Sequence, residues 1–338
     1  MPENLVEAKV SETNKSVLSK LHVRSKENKH IVNELRKELI KGLSAPSKYI
    51  SSKFFYDKFG SQLFEWITKL PEYYPTQSEK SIIENHGNEL FGQLSHVHLI
   101  ELGSGDCTKI SLVLKSIQSN HISTVNYCPI DFSISSIEKS KAILKHSFPQ
   151  LKVNGVVTDF TKLQTLPNER PRIICFFGST IGNFEPAEAE ALLKNIQSIM
   201  NPGDQLIMGI DLVKDISILE KAYNDSQRIT EAFNKNILRH CNTLLNTNIY
   251  PPHFKHHAFF NSDKSRIEMH LLAKEDIIIE SPYLNQAIEI EKGESIHTEN
   301  SHKYSFEAIS ELAYKCNLTI KRLFYDDRKW FSLIQLTK

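Results

Sequence analysis

The 338-residue sequence has little of what marks a protein class at first sight. It has five cysteines, Cys107, Cys128, Cys175, Cys241 and Cys316, odd in number and without a short spacing between any two. That pattern speaks against a disulfide framework or a thiolate zinc site, and predicts reduced, mostly buried small side chains. It has no excess of one charge: 41 lysines and arginines stand against 40 aspartates and glutamates. Neither a nucleic acid nor an anionic membrane is therefore expected as a partner. No apolar run approaches the roughly 18 residues of a membrane-spanning helix. The start of the sequence lacks an apolar signal-peptide core, so a cytoplasmic protein is expected. There is no internal repeat, and low complexity is confined to residues 1–28, polar and rich in lysine and serine, which read as a flexible tail.

What is there begins with residues 97–109, VHLIELGSGDCTK. An apolar strand ends in Glu-Leu-Gly-Ser-Gly, and a helix follows with Ile110, Val113, Leu114 and Ile117 at i, i+3, i+4 and i+7. A tight turn at Gly103 and Gly105 leaves room for a cofactor against the main chain. The third glycine of the dinucleotide fingerprint is missing, and Thr108 stands in its place. This favours a cofactor without phosphates, such as S-adenosylmethionine, whose amino acid end Glu101 could hold directly or through water. TVNYCPIDFS puts Asp131 at the end of a second strand, placed to accept from two ribose hydroxyls. VNGVVTDF puts Asp159 and Phe160 at the end of a third, where a carboxylate can take an adenine amino group and a ring can cover the base. Taken singly, each aspartate is equally well a helix cap or a solvated loop charge.

The wider pattern is α/β. HIVNELRKELIKGLS is an amphipathic helix with Ile31, Leu35, Leu39 and Leu43 on one face. An aromatic-rich segment follows, in which Pro71 and Pro75 bracket Glu72, Tyr73 and Tyr74 as a stiff connection. From 97 to 211 strands and helices alternate as in a doubly wound parallel sheet, with RIICFFGSTIGNF as fourth strand and NPGDQLIMGID as fifth. A helical segment with Leu219, Ala222 and Tyr223 then precedes RIEMHLLAKEDIII and QAIEIEKGESI, which alternate like antiparallel strands. A closing helix and hairpin, turned at Asp326-Asp327-Arg328, is the expected end of a methyltransferase sheet. Residues 29–76 and 214–303 are expected to form an inserted α+β substrate-binding domain, and 77–213 with 304–338 the cofactor-binding domain. His253, His256 and His257 in PPHFKHHAFF invite a metal reading, but no carboxylate or thiolate joins them at ligand spacing. They are expected to be exposed residues of a polar loop, and no metal is expected.

From about residue 50 onward the chain resembles the S-adenosylmethionine-dependent L-histidine Nα-methyltransferase family, which makes hercynine (Nα-trimethylhistidine) in ergothioneine biosynthesis. The resemblance lies in long ordered motifs: FYDKFGSQLFEWITKLPEYYPT, ELGSG with Lys109, Asp131, Asp159-Phe160, FFGSTIGNF, DLVKD, AYND, RIEM and HTENSHKY. The sulfoxide-synthase domain fused in fungal relatives is not expected here. The resemblance implies a class I, Rossmann-like methyltransferase sheet carrying the inserted domain. It implies S-adenosylmethionine at Tyr56, Gly103, Lys109, Asp131, Asp159 and Phe160, and L-histidine at Tyr73, Gly178, Asn183, Tyr223, Met269, Glu299 and Ser301. Tyr56, Gly178 and Asn183 would sit closest to the chemistry. Asn183 and Tyr223 can donate to the substrate carboxylate, the Gly178 carbonyl can accept from the α-amino group, and Glu299 with Ser301 can read the imidazole. A monomer acting on a small molecule is expected.

Without the resemblance, ordinary structural roles explain these positions. Tyr56, Tyr73 and Met269 suit a core, Asn183 after Gly182 suits a turn, and Glu299 suits a solvated loop. Other functions remain open at this level. They are a nicotinamide oxidoreductase, a methyltransferase-like protein that only binds, a relative acting on a tryptophan derivative, and an enzyme that stops at mono- or dimethylhistidine.

Overall fold

The computed structural model describes residues 31–338 except 133 and 168–170, so the expected tail lies outside the described residues. The described chain divides into two units. One holds the described residues up to Gly60 with Asn234–His256 and His270–Thr298, and the other Ser61–Phe233, His257–Met269 and Glu299–Lys338. Residues 61–76, 214–233, 257–269 and 299–303, expected in the inserted part, fall with the sheet. Tyr74 shows why, because its hydroxyl donates to both carboxylate oxygens of Asp211, at the end of a central strand, at 2.8 Å.

In chain order the helices are α1 (residues 31–43), α2 (Lys58–Ile67), α3 (Tyr74–Phe91), α4 (Thr108–Ser116), α5 (Ile134–Ser147), α6 (Pro186–Ile199), α7 (Ile216–Tyr223), α8 (Ile229–Leu245) and α9 (Phe306–Lys315). The strands of the large sheet are β1 (His98–Leu102), β2 (Asn126–Asp131), β3 (Lys152–Val153), β4 (Val156–Val157), β5 (Arg172–Phe176) and β6 (Gln205–Asp211). After β7 (Phe254–Asn261), β8 (Arg266–Ala273), β9 (Ile277–Ile279), β10 (Ile288–Ile290) and β11 (Ser295–His302), the sheet is completed by β12 (Thr319–Tyr325) and β13 (Phe331–Thr337).

The large sheet runs β12-β13-β6-β5-β1-β2-β3, with β4 also paired to β2. Its strands are parallel except β13, which enters antiparallel between β6 and β12. Alternate residues of each strand face opposite ways, and two cores result. Leu99, Tyr127, Ile173, Ile207 and Leu333 pack with Ile82 and Ile83 of α3, Val113 of α4 and Leu144 of α5. Ile100, Ile130, Ile174, Met208 and Ile334 pack with Leu192 and Ile196 of α6 and Ile309 of α9. Helices on both faces make this a doubly wound α/β sheet, with the closing hairpin where the sequence predicts it.

Two elements differ from expectation. The third strand is broken into β3 and β4, and Gly155 between them lies close to α5, where a Cβ would come within 2.4 Å of Ile137. The histidine-rich segment is strand β7, with Phe254 and Ala258 buried, rather than a loop. Long helix α8 had no counterpart in the sequence reading. The first unit contains α1, with Leu39 and Leu43 buried, and the antiparallel pair β9-β10. Strands β11-β8-β7 form a further three-stranded sheet. All five cysteines are buried and unpaired, and no helix among the described residues is long and apolar enough to cross a membrane.

Candidate active site

The first part of the site grows from the C-terminal end of β1. Glu101 is buried there and accepts from the Tyr127 hydroxyl of β2. Burial pushes its carboxyl up to about 8, against the opposite pull of that hydrogen bond and of Lys109. The chain then turns at Gly103 (φ +69°) and Gly105 (φ +53°), backbone that side chains disfavour. The Gly105 N–H reaches Asp131 Oδ2 at 3.3 Å, and a Cβ on Gly103 would lie 3.6 Å from the Phe160 ring. The structure thus brings Gly103, Asp131 and Phe160 together, with bare backbone beneath an aromatic ring. Asp159 is a cap: its Oδ1 accepts from the N–H and hydroxyl of Thr161 at 3.0 and 2.6 Å.

Lys109, in the first turn of α4, points at the next strand end. Its Nζ is 3.0 Å from Glu79 Oε2, and both Glu79 oxygens accept the Gly178 N–H at 2.9 Å. Glu79 has no solvent exposure. Sequence reading missed it because a glutamate in TQSEK passes for a surface charge. The available signal was its position three and four residues before Ile82 and Ile83, on the buried stripe of α3.

The second part forms where β5, β6 and β11 end. Gly178 (φ +79°) and Ser179 (φ +54°) make a left-handed turn after β5. Ser179 Oγ accepts the Asp211 N–H at 2.9 Å, and Asp211 binds Tyr74, Lys214 Nζ at 2.5 Å and Lys303 Nζ at 2.7 Å. Burial pulls Lys303 down but the Asp211 carboxylate outweighs it, leaving the ammonium at about 12. Burial brings Lys214 down to about 8. Lys303 also donates to Ser301 Oγ at 2.7 Å and Tyr223 Oη at 3.2 Å, while Tyr223 Oη donates to Ser301 Oγ at 2.7 Å. The Tyr73 ring meets Tyr223 edge-on at 6.2 Å between centroids. Tyr73, Tyr223 and Ser301, expected from three distant segments, are thus one cluster.

Asn183 ends a short 3-10 turn, Thr180–Asn183, that rests on β11. A Cβ on Gly182 would come within 2.9 Å of His302 O, so glycine permits the approach. Around it Glu185 Oε1 accepts from Arg266 at 2.7 Å and Asn300 at 2.9 Å. Glu299 is partly buried on the same side of β11 as Ser301, and burial pushes its carboxyl up to about 7 against the pull of Lys303. Met269 is buried in β8. Tyr56 belongs to the first unit, where it follows a 3-10 turn, Ser52–Phe55, and is 40% exposed.

The residues missed by sequence reading are Glu79, Tyr74, Asp211, Lys214 and Lys303. The last four lay inside motifs that carried the resemblance, without a role. The three histidines find separate partners: His253 pairs with Glu275 at 2.8 Å, His256 with Asn234 at 2.8 Å, and His257 stacks on Phe259.

A family model described as histidine-specific methyltransferase, SAM-dependent, matches residues 35–338. The chain is 35% identical over 281 residues to a histidine N-alpha-methyltransferase of Mycolicibacterium smegmatis, spanning 82% of this chain and 87% of that protein. A protein of the same name from Mycobacterium tuberculosis is 34% identical over the same shares of both chains. Ergothioneine biosynthesis protein 1 of Neurospora crassa is 32% identical over 205 residues, 59% of this chain and 23% of that longer protein.

Proposed function

Because this chain belongs to the family of histidine-specific, S-adenosylmethionine-dependent methyltransferases, we propose that it methylates the α-amino nitrogen of L-histidine three times, giving hercynine. It is an S-adenosylmethionine-dependent histidine methyltransferase. The extension to three transfers is supported by a relative whose name places it in ergothioneine biosynthesis.

S-adenosylmethionine supplies an electrophilic sulfonium methyl. The amine lone pair forms the new N–C bond as the S–C bond breaks, and S-adenosylhomocysteine leaves. The first two transfers each leave an ammonium that must lose a proton before the next. The protein's task is to hold the nitrogen in line and exclude water. Gly103, Lys109, Asp131, Asp159 and Phe160 hold the cofactor. Asp131 takes the ribose hydroxyls, and Phe160 covers the adenine. The bare turn at Gly103 under the Phe160 ring fits such a group. The Gly178 carbonyl orients the amino group, Asn183 takes the carboxylate, Tyr223 holds the Ser301 hydroxyl, and Glu299 with Ser301 reads the ring. Tyr73 and Met269 supply packing.

One observation carries this reading. Asp211, Ser179, Lys303 and Glu185 around the second part of the site are paired, yet the side chains of Asn183 and Glu299 have no hydrogen-bond partner among the described residues. Unpaired donors and acceptors beside a satisfied network suit a zwitterionic ligand with a polar ring. The test is mass spectrometry of histidine incubated with enzyme and S-adenosylmethionine. Trimethylated histidine is expected. Accumulation of only mono- or dimethylated product, or no product, would overturn the reading.

A further inference from the structure

We propose that Lys303 is a positioning residue that fixes the Ser301 hydroxyl as a donor toward the substrate ring, so that the pocket selects a ring bearing a nitrogen lone pair. The proposal rests on the reading that Ser301 faces the imidazole of histidine.

The Lys303 side chain has no solvent exposure, and an ammonium has three N–H donors. Three partners take them: Asp211 Oδ2 at 2.7 Å, Ser301 Oγ at 2.7 Å and Tyr223 Oη at 3.2 Å. None remains for a ligand, so the lysine works through its neighbours. Ser301 Oγ accepts from Lys303 and from Tyr223 Oη, each at 2.7 Å. A hydroxyl oxygen has two lone pairs and one proton, so both lone pairs are occupied. The remaining Ser301 proton has no acceptor among the described residues and is offered to whatever enters. Glu299, two residues away on the same side of β11, supplies the opposite character, because a carboxyl keeps an accepting oxygen in either protonation state. A donor and an acceptor side by side match a neutral imidazole, with its one lone-pair nitrogen and one N–H.

The arrangement is rigid for an electrostatic reason. A desolvated ammonium is tolerated only when fully paired, and Asp211, which anchors Lys303, is itself held by Tyr74, Lys214 and Ser179. Removing the lysine charge frees one Ser301 lone pair, and the hydroxyl can then turn to accept as readily as to donate.

The test compares histidine with β-(2-thienyl)alanine, a five-membered-ring analogue without nitrogen, in wild type and Lys303→Met. A thermal shift with S-adenosylhomocysteine confirms folding and an intact cofactor site. The kcat/KM preference for histidine is expected to fall by about tenfold or more, mainly through the histidine KM, with the cofactor KM within about twofold. In a Ser301→Ala background the same substitution should cost no further preference, since the lysine acts through that hydroxyl. Lys303→Gln replaces Lys303→Met if the latter shows no thermal shift. Equal losses for both substrates, or an undiminished effect in Ser301→Ala, overturn the proposal. A wild type that does not methylate histidine instead overturns the functional reading on which it rests.

Discussion

Lys109 Nζ stands 3.0 Å from the carboxylate of Glu79, which also accepts the Gly178 N–H. One wholly buried acid thereby joins a residue expected at the cofactor to a residue expected at the substrate. Lys109 keeps some contact with solvent and Glu79 has none, so the pair is asymmetric. Losing the acid strands a backbone donor as well as a charge.

Glu79→Ala should therefore destabilise the protein by about 2–4 kcal/mol, because the Gly178 N–H loses its acceptor and Lys109 its counter-charge. Glu79→Gln keeps an acceptor and should cost clearly less. Urea unfolding midpoints compare the two, and equal effects would show that the hydrogen bond does not matter.

Asp131→Ala should weaken S-adenosylmethionine binding by about 1–3 kcal/mol, since two ribose hydroxyls lose a charged acceptor. Titration calorimetry measures it. An unchanged affinity would place the ribose elsewhere.

Asn183→Ala should raise the histidine KM far more than the cofactor KM, because that donor serves the substrate, and Tyr223→Phe should do the same by removing a donor that holds Ser301. Histamine, which has no carboxylate, should be a poor substrate of the wild type. Steady-state kinetics with each reactant varied in turn separates the effects, and parallel changes in both KM values would count against the assignment.

Glu299→Ala should erode discrimination between histidine and phenylalanine, because a pocket with an unpaired carboxylate rejects an apolar ring most strongly. Competition between the two amino acids, read by product mass, is the measurement. Intact histidine preference in the variant would remove Glu299 as a ring reader.

Glu101 makes a pH-dependent prediction. Its carboxyl is raised from 4.5 to about 8 by burial, so the folded protein holds a proton there that the unfolded chain releases. The associated stability is fully present below pH 4.5 and is lost as pH rises through about 8. The melting temperature of the wild type should fall more steeply over this range than that of Glu101→Gln. A cofactor ammonium beside this acid would also expel its proton, so binding at pH 7 should release protons, seen as a buffer-dependent calorimetric enthalpy that the variant lacks.

The sheet was legible because its code is local. Gly103 and Gly105 punctuate a strand and a helix, Ile110, Val113 and Leu114 are spaced for burial, and all three are buried. Asp131 was legible for the same reason, as the polar stop of an apolar strand. The polar machinery was not. Glu79, Asp211 and Lys303 are charged side chains whose burial depends on partners 99, 92 and 92 residues away, respectively Gly178, Lys303 and Asp211. No periodicity encodes such pairings, and composition alone sends each residue to the surface. β7 was misread because the histidines between Phe254 and Ala258 hid a strand pattern.

The place of β13 has a consequence for biosynthesis. It pairs with β6 along seven residues, Phe331 opposite Asp211 through Thr337 opposite Gln205, although about 120 residues of chain separate the two strands. While a ribosome is still making the intervening segment, β6 presents an open edge whose residues from Leu206 to Asp211 are destined for burial. A nascent chain in that condition is a template for other chains, and chaperone demand should peak late in synthesis, falling only when residues 331–337 emerge and seal the gap.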